Sequence, residues 1–392
     1  MIQNRGLITS ATFASMFFLG VGTVIIGAAA GNIGLSPYQT GLLVSSQNVG
    51  FIIAVLVSGV LADSMDKALL MLAGSLILAL SMVFYYMWPP YGLNLAIMFF
   101  IGIGIGTYEG TGDAMLLGLH KKRQGLHISI NHFFVTFGCL ATTLYLIFLQ
   151  GDWRRAMVQS AVVVFALTVF FAFTRAGAGT AGTPKLGARL GFLKTQPVLA
   201  VLFVLAIFGV GIELGLTSFL TGFLLELRGY NLVSSKVGLI LFLAGVASGR
   251  VVFGFISGRV RILALLTTLF AASAVTCWVL FFVVLPAPLG EVVFFLSGTA
   301  ISCVFPLIVT LTGRLFSDMS GTALGIVKLG IPLGGIVIPL VLSIVSRWAS
   351  FGISLGIFPL LGTGGLILLA ANLRMIRAKL DGVSAPSPAP AR

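Results

Sequence analysis

The stretch Ile101-Gly-Ile-Gly-Ile-Gly-Thr-Tyr-Glu-Gly-Thr-Gly-Asp113 lies inside an apolar run from about Leu93 to Leu119. A run of that length crosses a bilayer as one helix. It nevertheless carries two carboxylates, Glu109 and Asp113, four residues apart and therefore on one helix face. A charge inside hydrocarbon costs ~3 kcal/mol or more, so acids at such depth face a cavity or a partner and mark a pathway. Two neighbouring acids in a poorly hydrated place do not both ionise near neutral pH, so one holds a proton. That is the requirement of proton coupling. The competing reading is that basic residues pair the acids and they only brace the bundle.

The rest of the chain extends this pattern. Of 392 residues, 58% are hydrophobic and 8% charged, and the mean hydropathy is +1.12. Long apolar runs recur throughout and barrel-type alternation is missing, so the expected class is an all-α membrane protein. Spans are expected at about 7–31, 40–62, 68–88, 93–119, 128–149 and 156–174, then 197–223, 234–258, 262–285, 291–313, 321–345 and 351–373. The expected domains are an N-terminal six-helix bundle (1–174), a cytoplasmic linker (175–196), a C-terminal six-helix bundle (197–373) and a cytoplasmic tail (374–392). The linker is Gly/Ala/Thr-rich with four basic residues, and the tail after Asp381 has a disordered composition.

The net charge is +13. It is explained by orientation, with no nucleic-acid partner. Taking the N-terminus as cytoplasmic, inner loops and tails hold 16 Lys and Arg and outer loops 5. Both termini are thus expected in the cytoplasm and the chain in a plasma membrane, the inner membrane of a bacterium. Cys139, Cys277 and Cys303 all sit in apolar runs with no disulfide or metal spacing. No phosphate-binding loop is present, so a proton gradient is the expected drive and no ATP or other cofactor is expected. No nucleophile–base pair or metal cluster is visible, so an enzyme is not expected.

The two halves are faintly repeated. Gly59-Val-Leu-Ala-Asp63-Ser-Met-Asp66-Lys67 ends the second span, and Gly254-Phe-Ile-Ser-Gly258-Arg259-Val-Arg261 ends the eighth. Each pairs a glycine, read as permitting close helix approach, with a charged turn. Gly59, Asp63, Lys67 and Arg259 are therefore gating candidates. Similar halves about a central site are the plan of a secondary transporter.

Twelve spans divided six and six, a basic central linker and that charged second-to-third loop resemble the major facilitator superfamily. Gly59, Leu61, Ala62 and Asp63 match its loop pattern, and Lys67 keeps one base. Ser64 and Asp66 depart from it, as does Gly258 in the second copy. Gly104-x-Gly106-x-x-Glu109-x-x-x-Asp113 resembles the fourth span of fucose permease-like sugar:proton symporters. Asn131-His132-Phe133-Phe134 with Gly138, and Gly211-x-Glu213 with Phe223-Leu-Leu-Glu226-x-Arg228-Gly229, resemble the fifth and seventh spans of that group. This resemblance implies that Glu109 exchanges a proton as substrate binds. The first-span acid found in some members is missing. Arg250 in Ser248-Gly-Arg-Val-Val-Phe-Gly254 and Lys328 in Val327-Lys-Leu-Gly-Ile-Pro-Leu-Gly-Gly335 are similar to bases of oxalate/formate and monocarboxylate carriers, where they bind substrate carboxylates.

At ~1.5 Å rise per residue, Arg250, Lys328, Glu109 and Asp113 fall in one layer just inside the middle of the membrane. There two acids and two bases could form closed pairs that a proton or substrate breaks. Glu213 counts ~24 Å from the inner side, nearer the outer mouth, where it binds substrate or sits in a vestibule. His132 lines the cavity or is a satisfied helix histidine; Asn48, Gln47 and Tyr108 are weaker substrate contacts. His120 either relays protons to the cytoplasm or is a solvated helix end. Pro306, Pro332 and Pro339 bend spans 10 and 11. The expected function is proton-coupled symport of a small polar solute, a sugar, sugar acid or organic anion, by a monomer in the lipid bilayer. The rivals are a proton-driven exporter and a non-transporting receptor or scaffold.

Overall fold

The computed structural model describes residues 2–120, 122, 124–177, 195–257, 259–316 and 320–384. Among them are twelve helices long and apolar enough to cross a membrane. Spans 1 to 6 are α1 (Arg5–Ile33), α2 (Pro37–Ser64), α3 (Lys67–Phe84), α4 (Tyr91–Leu119), α5 (Gln124–Phe148) and α6 (Trp153–Ala172). Spans 7 to 9 are α7 (Pro197–Leu227), α8 (Leu232–Ile256) and α9 (Ile262–Phe282). Span 10 is split into α10 (Ala287–Ile301) and α11 (Val304–Leu315), and span 11 into α12 (Ser320–Lys328) and α13 (Gly330–Trp348). A short α14 (Phe351–Ser354) precedes the last helix, α15 (Ile357–Ser384). That helix runs past the expected end of the last span. The linker from 178 to 194 and the tail beyond 384 lie outside the described residues.

Local chemistry sets the helix ends. Ser36 caps α2 reciprocally with Gln39, and Pro37 supplies the first-turn φ. Asp66 caps α3 and also accepts from the backbone N–H of Ala176 and Gly177, so the second-to-third turn holds the start of the linker. Ile2 pairs with Thr174 beside it. The chain start, the linker start and this turn therefore share one face of the molecule, called here the terminal side.

Within each half, lipid gives helices no hydrophobic reason to associate, so small residues let backbones touch. A methyl at Gly20 or Gly138 would overlap the facing backbone between α1 and α5. Gly50, Gly102 and Gly106 do the same between α2 and α4, as do Gly245 and Gly298 between α8 and α10. Gly59 and Gly254 behave differently from the expectation of close approach. Nothing lies within 4 Å of a side chain placed on either. Both stand at the terminal-side ends of their helices, as do Gly118 and Gly313, which also border open space.

The halves meet on the far side. Lys236 Nζ donates to Asn32 Oδ1 at 2.7 Å, Ser45 Oγ to the Ile336 carbonyl at 3.1 Å and Ser343 Oγ to the Tyr38 carbonyl at 3.1 Å. Thr221 Oγ1 donates to the Gly27 carbonyl. Gly27 and Gly41 stand against the backbone of Thr217 and Pro339 in the opposite half. The far side is shut in this state.

This seam yields a prediction. Gly41→Leu, whose side chain would overlap Ser343 and the Pro339 carbonyl, costs the closed seam about 1–3 kcal/mol of overpacking. Spin labels on the far ends of spans 2 and 11 are expected to move apart by several ångströms in Gly41→Leu relative to the parent. An unchanged distance distribution would show that the seam does not depend on this approach.

Candidate functional site

Two prolines shape the middle of the membrane. A proline lacks an N–H, so the carbonyl four residues earlier loses its helical partner. Pro306 frees the Ser302 carbonyl, and span 10 breaks between Ile301 and Val304. Arg250 Nε reaches that freed oxygen at 3.4 Å. Pro332 frees the Lys328 carbonyl, and span 11 breaks at Leu329. Both breaks thus lie beside the two basic residues singled out from the sequence. Pro339 stays inside α13 and produces no break.

One cluster forms between spans 4, 5 and 11. Asp113 Oδ1 accepts from Asn131 Nδ2 at 3.0 Å. Its Oδ2 lies 3.3 Å from His132 Nε2 and 3.9 Å from Lys328 Nζ. Glu109 faces the same point. The ligand atoms of Glu109, Asp113 and His132 lie within 4.8 Å of one another. The side chains keep a route to water: His132 is 40% exposed, Lys328 50% and Asp113 18%. A divalent cation could span that carboxylate–imidazole spacing, which the sequence did not reveal. Asn131 and the Lys328 ammonium already serve the same carboxylate, and the ammonium opposes a second cation there.

The second cluster joins spans 5, 7, 8 and 10. Arg250 Nη2 donates to Glu213 Oε1 at 2.6 Å, a charge-assisted bond. Its Nη1 donates to Thr136 Oγ1 in the opposite half. Glu213 therefore lies in the central layer, and its expected place near the outer mouth is corrected. The cause is helix length. α7 has 31 residues, and Glu213 stands at its middle, so counting depth from the helix start overshoots a ~30 Å hydrocarbon core. The long arginine side chain covers the remaining offset. His132 and Thr136 are four residues apart on α5, on one face, and link the two clusters.

Several candidates lie elsewhere. Gln47 is buried, and its Nε2 donates to the Gly22 carbonyl at 2.6 Å, tying span 2 to span 1. Tyr108 is fully buried and donates to Ser75 Oγ at 2.7 Å, inside the N-terminal half. Neither joins the cluster. Asn48 bonds back to the Val44 carbonyl and packs against Gly335 in the seam between halves. Lys67 is buried and donates to the Gly177 carbonyl at 3.1 Å, while Arg259 is exposed. The Asp63 side chain lies outside the described residues.

His120 ends α4 on the terminal side. Its Nε2 lies 2.8 Å from Thr9 Oγ1, and its ring stacks on His127 at 3.8 Å. Desolvation first, then the neighbouring His127 ring and Arg5, hold its imidazole below the ordinary range. Two contributors carried no role in the sequence reading. Asn131 was visible only as part of a motif, and Thr136 resembles any helix threonine until the fold turns it toward Arg250.

The comparisons agree with this architecture. Solved structures of a D-xylose–proton symporter (14% identity, 92% of this chain and 96% of that one, TM-score 0.75) and of the nucleoside transporter NupG (14%, 95% and 99%, 0.78) share the fold. So does the E. coli fucose:proton symporter FucP (16%, 94% and 99%, 0.64). No curated protein matches the sequence significantly. Residues 8–339 match the family described as Major Facilitator Superfamily, and with its twelve spans in two six-helix bundles around a central charged layer, the chain belongs to that family of membrane transporters.

Proposed function

We propose that the chain is a proton-coupled symporter for a small, neutral polar solute, with the terminal side in the cytoplasm. The observation that carries this reading is the charge balance of the central layer. Three carboxylates, Glu109, Asp113 and Glu213, face two permanent cations, Arg250 and Lys328. Arg250 is committed to Glu213 and Lys328 leans on Asp113. Glu109 has no such cation and makes no hydrogen bond or ion pair among the described residues; it faces His132. A charge in this layer is expensive unless paired. One proton, held by Glu109 or shared through His132 and Asp113, brings the layer to neutrality.

Both bases are already engaged by protein carboxylates, so an anionic solute would have to break a pair to bind. A neutral solute with several hydroxyls can instead exchange hydrogen bonds with these groups. The solved transporters of similar fold are named for xylose, nucleosides and fucose, which supports that class. The far side is closed and Lys328, Arg250 and His132 retain exposure, so this state is read as open to the cytoplasm. Reopening the far side requires the central pairs to rearrange, and a proton on the acids changes the stability of those pairs by differential interaction with the two states.

Flux into proteoliposomes under an imposed pH gradient tests the reading, with D-xylose, L-fucose, uridine and small organic acids as solutes. Gradient-stimulated accumulation of a neutral solute is expected. Gradient-driven expulsion would make the protein an exporter, and preference for the acids would defeat the neutral assignment. In Glu109→Gln, pH-driven accumulation is expected to vanish while counterflow exchange persists at a comparable rate; retained accumulation would remove Glu109 from the coupling step.

A second prediction separates a paired arginine from a substrate-binding one. Arg250→Met leaves Glu213 without its cation and is expected to lower stability by on the order of 2 kcal/mol, less than the ~3–5 kcal/mol of a fully buried pair because both partners keep some water. Arg250→Met with Glu213→Gln is expected to recover most of that loss in thermal unfolding. A double variant as unstable as the single would argue against the pair.

A further inference from the structure

On the far side, away from the central layer, a hollow of about 400 Å³ is lined by Ser36, Pro37, Tyr38, Glu226, Ser346, Arg347 and Phe351. That size suits a small molecule, whose sites run ~300–1,000 Å³. Its walls come from both halves. Ser36, Pro37 and Tyr38 begin span 2; Glu226 ends span 7; Arg347 ends span 11, and Phe351 begins α14. The hollow therefore exists in this form only while the far side is shut.

Its charges are arranged unusually. Arg347 lies over the Tyr38 ring at 4.9 Å and donates from Nη1 to Tyr38 Oη at 3.1 Å. A guanidinium has five N–H donors, and among the described residues Tyr38 Oη is the one hydrogen-bond acceptor that Arg347 uses. Glu226 is exposed on the same hollow, yet among the described residues it makes neither an ion pair nor a hydrogen bond. Opposite charges thus share one small space without meeting each other. Tyr38, Pro37 and Phe351 add apolar lining.

The geometry points to a binding site for a zwitterion, an α-amino acid with an aromatic or large apolar side chain. Its carboxylate docks on Arg347, where a planar guanidinium suits carboxylate geometry. Its ammonium docks on Glu226, and its side chain lies along Tyr38 and Phe351. A simple anion would gain Arg347 but face Glu226, and a simple cation the reverse. Because the site is half N-terminal and half C-terminal in origin, its ligand binds the closed far side and draws the population toward that state. The charges are solvent-exposed, where single ion pairs are weak, so the expected affinity is near millimolar.

The test uses the purified full chain in detergent and reads thermal stability against L-phenylalanine, phenethylamine and phenylacetate. L-Phenylalanine is expected to raise the unfolding temperature with a millimolar midpoint, because a ligand of the folded state stabilises it by mass action. The singly charged analogues are expected to bind about tenfold more weakly. Arg347→Ala and Glu226→Gln are each expected to weaken the L-phenylalanine response about tenfold, as loss of the matching charge on the ligand does. Glu109→Gln, which removes the proton site proposed above, is expected to leave it unchanged, so the two proposals fail separately. No stabilisation by L-phenylalanine, equal response to the analogues, or an unchanged midpoint in either Arg347→Ala or Glu226→Gln would overturn the site.

Discussion

The constraint on which the structure depends is the cost of an unpaired charge where water is scarce. Three carboxyl groups, two basic side chains and one histidine occupy the middle of a twelve-helix bundle. The fold meets that cost by pairing Asp113 with Lys328 and Glu213 with Arg250. Each pair is made differently. Arg250 and Glu213 both belong to the C-terminal half, while Asp113 and Lys328 come from opposite halves. The first pair can persist when the halves rock; the second cannot keep its geometry unless the halves move together. The contact at 3.9 Å, with a half-exposed lysine, is also the looser of the two. Glu109 and His132 stand beside this looser contact between the halves.

The broken helices explain how such polar groups are tolerated. A continuous helix satisfies its own backbone and offers little to a side chain in hydrocarbon. Breaking spans 10 and 11 at mid-depth frees carbonyls from their helical partners. The Ser302 carbonyl is put to use at once by Arg250. At span 10 the irregular backbone thus supplies the acceptor of a basic side chain, and at span 11 it lies beside one, as broken helices do in other transporter folds.

Much of this was legible in the sequence, for a physical reason. Span number, the six-and-six division and the acids of span 4 follow from hydropathy and spacing, which the bilayer reads almost directly. Pro306 and Pro332 marked the breaks, because the lost N–H is a local fact, while Pro339, expected to bend span 11 as well, stays inside one helix. What could not be read was facing. Gln47 and Tyr108 are as polar on paper as His132, yet they turn into the N-terminal half and bond Gly22 and Ser75. Glu213 was misplaced in depth because hydropathy does not say how far a 31-residue helix projects from the membrane. Gly59 was read as a packing glycine, but that depends on which end of the molecule is open. Facing, tilt and conformational state are set by the other eleven helices, not by local spacing.

The same reasoning bears on how the two faces of the molecule communicate. α5 carries His132 and Thr136 on one face, the first against Asp113 and the second against Arg250. A change at either cluster is therefore felt by one rigid helix. α2 and α13 run from the neighbourhood of the central layer to the far seam, where Tyr38 meets Ser343 and Arg347. Lys328 ends α12 at the break of Leu329, and α13 is the segment beyond that break. The lysine that leans on Asp113 thus stands at the base of a helix whose other end holds the far-side contacts with span 2.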